Sequence, residues 1–420
     1  YYYKEVVRYL LFFRQTMAKL KILGVYANEG GCAYYRLIMP LQKLAQLYPD
    51  QVEVQFSQNP INMDTETGEL PLDDATYPLL DWADVVWMNN ISNYGGPYTA
   101  RVIGLAKARG KFVHFDTDDL LIDLYEGHRL KQTYEDKNLY EITKWMYGNA
   151  DLVTVTQRKF AERVKSYAGG VLAVVKNSID YTLPCWNSAK TSDKKKTRVG
   201  WAGGIHHEED VKEFAGVPWL VNQKVGKERI EWNFYGAPAP VEKKKGGEEE
   251  WQHQVWKNYK KILLRGFKNA KNWSIGQAMP PDRYGTMYSL MDVAIAPLQM
   301  NEFNDSKSEI KVAECGRYLV PLIASNVGCY DETIVNGKTG FLIDPDAPKS
   351  EWVRILTKCA KNPKLVRQMG ENLHQVTEEY FDINKVVKHR LELYEECFKL
   401  LNERHKDHTY NKEWTFNGNS

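Results

Sequence analysis

Lys307, Lys311 and Glu314 stand four and three residues apart, a spacing that places side chains on one face of a helix. The polar loop Asn304-Asp305-Ser306-Lys307-Ser308 predicts a helix beginning near Ser306 or Lys307, with Asp305 or Ser306 as its N-cap. Free backbone N–H groups and the positive dipole end at such a terminus suit a phosphate. Lys307 puts a full positive charge where helix stability prefers a negative one, an arrangement that makes sense if an anion docks there. Lys311 follows one turn later, and Glu314 lies two turns, or roughly 10 Å, from Lys307. Two cations and then a carboxylate match a nucleoside diphosphate at the helix tip, its ribose hydroxyls bonded by Glu314. A solvated amphipathic helix with a Lys311–Glu314 surface pair fits the same spacing.

The elements that must position this face are short apolar runs bounded by turn residues, at 293–296, 320–324 and 341–343. Runs of this kind separated by helical patterns read as a parallel sheet with crossover helices. In such a sheet, ligands bind outside the carboxyl ends of the strands. The same grammar opens the chain. A strand at 19–26 leads into a loop with Gly30 and Gly31 and a helix over 34–45, the first unit of a Rossmann-like domain. The Gly-X-Gly-X-X-Gly pattern is missing, which argues against NAD. Further strands are expected at 52–56, 82–88, 110–115, 150–155 and 171–175. A second unit starts with a strand at 198–202, a loop through Gly203, Gly204, His206 and His207, and a helix opening at Glu208. Its glycines permit close approach to phosphate, and either histidine could contact it. A strand at 230–236 and a charged surface loop at 241–250 come next.

Several of these stretches resemble retaining GT-B glycosyltransferases of the glycogen-synthase-like, family four-like kind. Glu314-Cys-Gly316, Pro321-Leu-Ile-Ala-Ser325, Gly328, Glu332 and Asn336-Gly-Lys-Thr-Gly340 match that family's donor-binding region. The family carries Glu-(seven residues)-Glu here, and its first Glu falls at Ser306. Phe303-Asn304, Lys307-Ser308 and Lys311 are closer to a divergent branch common in phage and bacterial genomes. Gly30 to Arg36 resembles the first loop of the same enzymes, and Lys176-Asn-Ser-Ile-Asp180 resembles the close of their N-terminal domain.

The resemblance implies an α/β GT-B architecture, with two Rossmann-like domains facing across a cleft and a C-terminal helix crossing back. The expected division is an acceptor-side domain at 17–185, a polar, basic linker at 186–197, a donor domain at 198–380, a crossover helix at 381–401 and a polar tail at 402–420. Residues 1–16 read as a leader of uncertain origin before Met17. The implied activity is transfer of a sugar from a nucleotide-diphosphate sugar, UDP foremost, to an acceptor hydroxyl with retention. No cofactor and no metal is expected. The implied donor set is Gly30, Gly31, Arg36, Gly203, Gly204, His206, Asn304, Lys307, Ser308, Lys311 and Glu314, with Arg36 a candidate anion contact. The acceptor would be a glycan, a lipid-linked or a small molecule. A hydroxylated DNA base is the alternative, with Lys194–Lys196 and Lys243–Lys245 as candidate phosphate contacts. A non-catalytic nucleotide-sugar-binding protein on the same frame is another.

Asp116-Thr-Asp118-Asp119 closes the 110–115 strand. An Asp-X-Asp here could hold a divalent metal through hard oxygen ligands. Alternatively, Asp118 or Asp119 faces the acceptor as a base, and His128 bonds a sugar hydroxyl or phosphate. Helix capping and a surface histidine fit equally. Lys307 would stabilise the leaving diphosphate. Lys and Arg number 56 against 54 Asp and Glu, a net charge of +2, which gives no case for bulk nucleic-acid affinity. Six scattered cysteines without close pairing suggest a reducing, cytoplasmic compartment. No apolar run is long enough to span a bilayer.

Overall fold

The structure is a computed structural model that describes residues 19–64, 76–190, 195–238, 248–267 and 270–407. The leader, the middle of the expected linker, Lys243–Lys245 and the tail beyond 407 lie outside the described residues. The chain divides into two compact units: Tyr1–Ser178 with Ile383–Ser420, and Ile179–Asp382.

The first unit is built on a six-stranded sheet of order β2-β1-β3-β4-β5-β6, with every pairing parallel. The strands are β1 Leu20–Tyr26, β2 Val52–Ser57, β3 Val85–Asn89, β4 Phe112–Asp116, β5 Leu152–Val155 and β6 Val171–Val174. β3 to β5 are buried along their whole length, as near-continuous apolar runs covered on both faces should be. The expected strand at 82–88 begins three residues late. Trp82 instead ends the helix Pro78–Trp82, which Pro78 opens, because proline's fixed φ suits a first helical turn. The C-terminal helix Ile383–Asp407 belongs to this unit. Its Ile383, Val387, Tyr394 and Cys397 share one buried cluster with Ile22, Leu41, Val85 and Phe112.

The second unit carries another parallel six-stranded sheet, of order β12-β11-β10-β7-β8-β9. Its strands are β7 Thr197–Ala202, β8 Ile230–Ala237, β9 Trp273–Gln277, β10 Val293–Ala296, β11 Leu322–Ser325 and β12 Gly340–Ile343. Counted from β7, the strands run 3-2-1-4-5-6, the doubly wound arrangement of nucleotide-binding folds. Residues 248–250, expected in a surface loop, open the helix Glu248–Leu263. The expected boundary at 185 moves to Ser178. Residues 179–187 are fastened within the second unit: Ile179 bridges to Asp382, Tyr181 donates to the Ala313 carbonyl and Arg317 to that of Trp186. Lys196 of the basic run pairs with Glu231. Among the described residues, no helix is long and apolar enough to cross a membrane.

Candidate active site

Strand order in the second unit reverses between β7 and β10, and the space outside the carboxyl ends of two such strands is where ligands bind. β7 ends at Ala202 and runs into Gly203, Gly204, His206 and His207, while β10 runs into the 297–309 loop. The helix expected from Ser306 or Lys307 begins only at Ile310 (Ile310–Arg317). A separate short helix, Glu302–Asp305, precedes it. Lys307 and Ser308 therefore sit in the connection between two helices, and the single helical face expected to carry Lys307, Lys311 and Glu314 does not exist in that form.

Long-range bonds explain the difference. Leu298 N–H donates to Ser325 Oγ at 2.9 Å. Asp210 Oδ1 accepts from Gln299 N–H at 2.9 Å and from Asn304 Nδ2 at 2.8 Å. Gly328 N–H donates to Asp305 Oδ1 at 3.1 Å. Gly328 has φ +74°, and a Cβ there would come within 3.1 Å of the Lys307 carbonyl, so a side chain would push the loop away. Ser306, where the resembling family has its first Glu, is fully buried and donates to the Glu302 carbonyl. Asn304 is likewise buried and spent on Asp210 and the Gln299 carbonyl; it holds the loop and is corrected from donor contact to positioning residue. Lys307 is half-buried and lies over the Phe303 ring at 4.8 Å. Among the described residues it makes no ion pair with a carboxylate.

Lys311 reaches back to the carbonyl of Ala202 at the end of β7. Burial, and then Lys307, lower its proton affinity. Glu314 is 3% exposed and accepts a hydrogen bond from Tyr288 at 2.6 Å. It is not a surface residue paired with Lys311. Burial raises its proton affinity, against the pull of Lys311 and Tyr288. His206 is exposed. His207 is the histidine tied into the site: its Nδ1 lies 2.7 Å from Asp210 Oδ2. Burial and then Lys307 push its pKa down to about 4. A Cβ on Gly203 would strike the Trp201 ring, whereas Gly204 opens onto free space. Sequence reasoning missed Asp210 and Tyr288. The i,i+3 pairing of His207 with Asp210 in a first helical turn was the available signal.

In the first unit, Arg36 is no ligand contact. It is fully buried, with Nε and Nη2 on Asp116 at 2.6 and 2.9 Å and Nη1 on the Val175 carbonyl at 2.7 Å. It sits on a π-helical turn, Tyr34–Ile38, just before Pro40, which cannot donate to the preceding turn. Arg390 Nη1 joins Asp116 at 3.1 Å, and Thr154 donates to the same carboxylate. Burial would raise Asp116, yet the two guanidiniums hold it below the ordinary value. Its oxygens are committed, so the Asp116–Asp118 metal pair does not fit. Ligand atoms of Cys32, Asp118 and Asp119 do lie within 4.8 Å of one another. Asp118 Oδ1 is buried without a hydrogen-bond partner; burial and then Asp119 raise its pKa to about 7. Gly30 caps the short turn Gly31–Ala33, and a Cβ on Gly31 would meet nothing. His128 is buried, its Nδ1 accepting the Leu130 N–H at 3.2 Å. It shapes the 125–131 turn through that nitrogen.

Residues 254–376 match the family described as glycosyl transferases group 1. Solved structures of the same fold include a sucrose-phosphate synthase from Thermosynechococcus elongatus, at TM-score 0.64 and 13% identity over 91% of this chain and 100% of that one. A glycosyltransferase from Rickettsia africae follows at 0.58 and 14%, over 91% and 99%. The Anabaena protein HepE, solved with UDP and glucose, gives 0.56 and 14%, over 90% and 100%. No curated protein sequence matches. The structural likenesses establish the GT-B type of fold, two Rossmann-like α/β sheets, and the family match supports glycosyl transfer from a nucleotide sugar as the chemistry of this class.

Proposed function

We propose that the protein is a metal-independent glycosyltransferase that moves a sugar from a nucleotide-diphosphate sugar to an acceptor hydroxyl with retention. The observation that carries this reading is the grouping of Lys307, Lys311 and His207 with the buried carboxylate of Glu314 at the switch point of the second sheet. The two lysines offset charge developing on the leaving diphosphate, the preorganised electrostatic contribution to catalysis. Glu314, with one oxygen fixed by Tyr288, accepts from the donor ribose. The departing phosphate assists deprotonation of the acceptor. UDP is the first nucleotide to try, since HepE was solved with it. The acceptor is a glycan, a lipid-linked or a small molecule, and the location cytoplasmic.

A thermal-shift screen of UDP-, GDP-, ADP- and TDP-sugars tests the reading, because a ligand bound only by the folded state raises its stability by mass action. One nucleotide class should raise the melting temperature, and slow donor hydrolysis without acceptor should accompany it. The buried Ser306 in place of a glutamate favours the second reading, a binding protein without catalysis. Binding with no hydrolysis and no transfer would select it.

A further inference from the structure

His207 has a built environment whose bearing on its protonation the donor-site reading leaves open. Asp210 Oδ2 lies 2.7 Å from its Nδ1, and Asp210 Oδ1 is held by Gln299 N–H and Asn304 Nδ2. Burial would raise Asp210, but its bond to His207, the charge of Lys307 and the Gln299 N–H hold it below the ordinary value. Asp210 is therefore an anchored carboxylate; Nδ1–H donates to it, and Nε2 is left as a lone-pair site. An anchored counterion on one nitrogen is the arrangement that stabilises an imidazolium. Yet the other charges facing this ring are Lys307 and Lys311, and both disfavour a third cation. Glu208 and Glu209 follow on its own helix, Trp201 of β7 lies edge-on at 6.2 Å, and Tyr259 of the Glu248–Leu263 helix accepts the His207 backbone N–H.

We propose that His207 is a proton-switched cation of the diphosphate site, neutral when the site is empty and protonated at Nε2 when a nucleoside diphosphate occupies it. The inference rests on the donor-site reading. A diphosphate beside Lys307 and Lys311 reverses the local sign, and the ring then has an anion on each side. The proton comes from solvent when the nucleotide binds and returns to solvent when it leaves. To the grip of the two lysines His207 adds one that exists only with the ligand in place. Affinity for the product nucleotide then weakens as pH rises through the pKa of His207 in the complex.

Calorimetric titration of UDP into the full chain at pH 7, in buffers of different ionisation enthalpy, counts the protons taken up. Wild type should take up about half to one proton more per nucleotide than H207Q, the difference removing protons that belong to the phosphate and the lysines. Nitrogen-resolved spectra of the wild-type imidazoles should show one ring passing from neutral to doubly protonated on saturation, a readout that stands even if H207Q folds poorly. UDP binding with equal proton counts in both proteins, or with no ring changing charge, overturns the proposal and leaves the donor-site reading intact. Failure of UDP, GDP, ADP and TDP alike to bind overturns both.

Discussion

Glu314→Gln separates a ligand-binding carboxylate from a structural one. Glu314 is 3% exposed, and burial raises its proton affinity, so keeping it charged costs the fold free energy. Glutamine has the same shape, and its Oε1 can still accept from Tyr288. Stability at pH 7 should therefore hold or rise. Binding should suffer, because a ribose hydroxyl loses a charge-assisted bond of about 1.5–3 kcal/mol, or roughly ten- to a hundredfold. The assay is calorimetry of the preferred nucleoside diphosphate, with a thermal melt of each protein alongside. Tyr288→Phe is the companion: it leaves one buried carboxylate oxygen without its donor and should destabilise by about 1–3 kcal/mol. A Glu314→Gln affinity within twofold of wild type would refute the ribose assignment. A melting temperature several degrees lower would show that the fold needs the charge.

Three more outcomes are expected. Asp116→Asn strips the shared anion from two buried guanidiniums, so amide exchange in β4 should show a local loss of about 3–5 kcal/mol; a loss under about 1 kcal/mol would mean that the network is not needed there. Asp118 has its pKa raised to about 7 from an ordinary 3.8, so the folded state holds a proton the unfolded chain has lost. Its contribution is present below about pH 4 and fades as pH rises to about 7, by up to about 4 kcal/mol. Asp118→Asn should flatten that slope, and an unchanged slope would contradict the assignment. Donor turnover should survive EDTA if the diphosphate is held by Lys307 and Lys311 as proposed; a loss reversed by manganese would instead point to a metal on Cys32, Asp118 and Asp119.

Eleven of the twelve described strands were legible in the sequence, most plainly where a strand is buried on two faces and reads as an unbroken apolar run, as Val85–Met88 and Val293–Ala296 do; the edge strand β9, Trp273–Gln277, half-exposed and mixed in polarity, was not. Partners distant in sequence were not legible. Arg36 at a helix start looks like an anion contact until Asp116, eighty residues away, is seen to claim it. The start at Ile310 was hidden for the same reason: Asn304 and Asp305 spend their side chains on Asp210 and Gly328 rather than on a local cap, so tertiary bonds displace the boundary that capping rules predict. Lys311 and Glu314 could be singled out because residue type and helical spacing suffice within one short segment. Tyr288 could not, because nothing local joins it to Glu314.

The last helix gives the chain an awkward order of synthesis. A ribosome that has made residues up to Ser178 has delivered all six strands of the first sheet but not the helix Ile383–Asp407 that fills its core and supplies Arg390. About 200 residues of the second unit come between, roughly 10–40 s at about 5–20 residues per second. Throughout that interval Asp116 lacks one of its two cations, and the apolar faces of Val85 and Phe112 lack their cover. The second unit, continuous in sequence, can finish first. A fragment ending at Ser178 would thus be an unfinished protein rather than a separable domain, and joining Ile383–Asp407 to it through a short linker would restore the missing core.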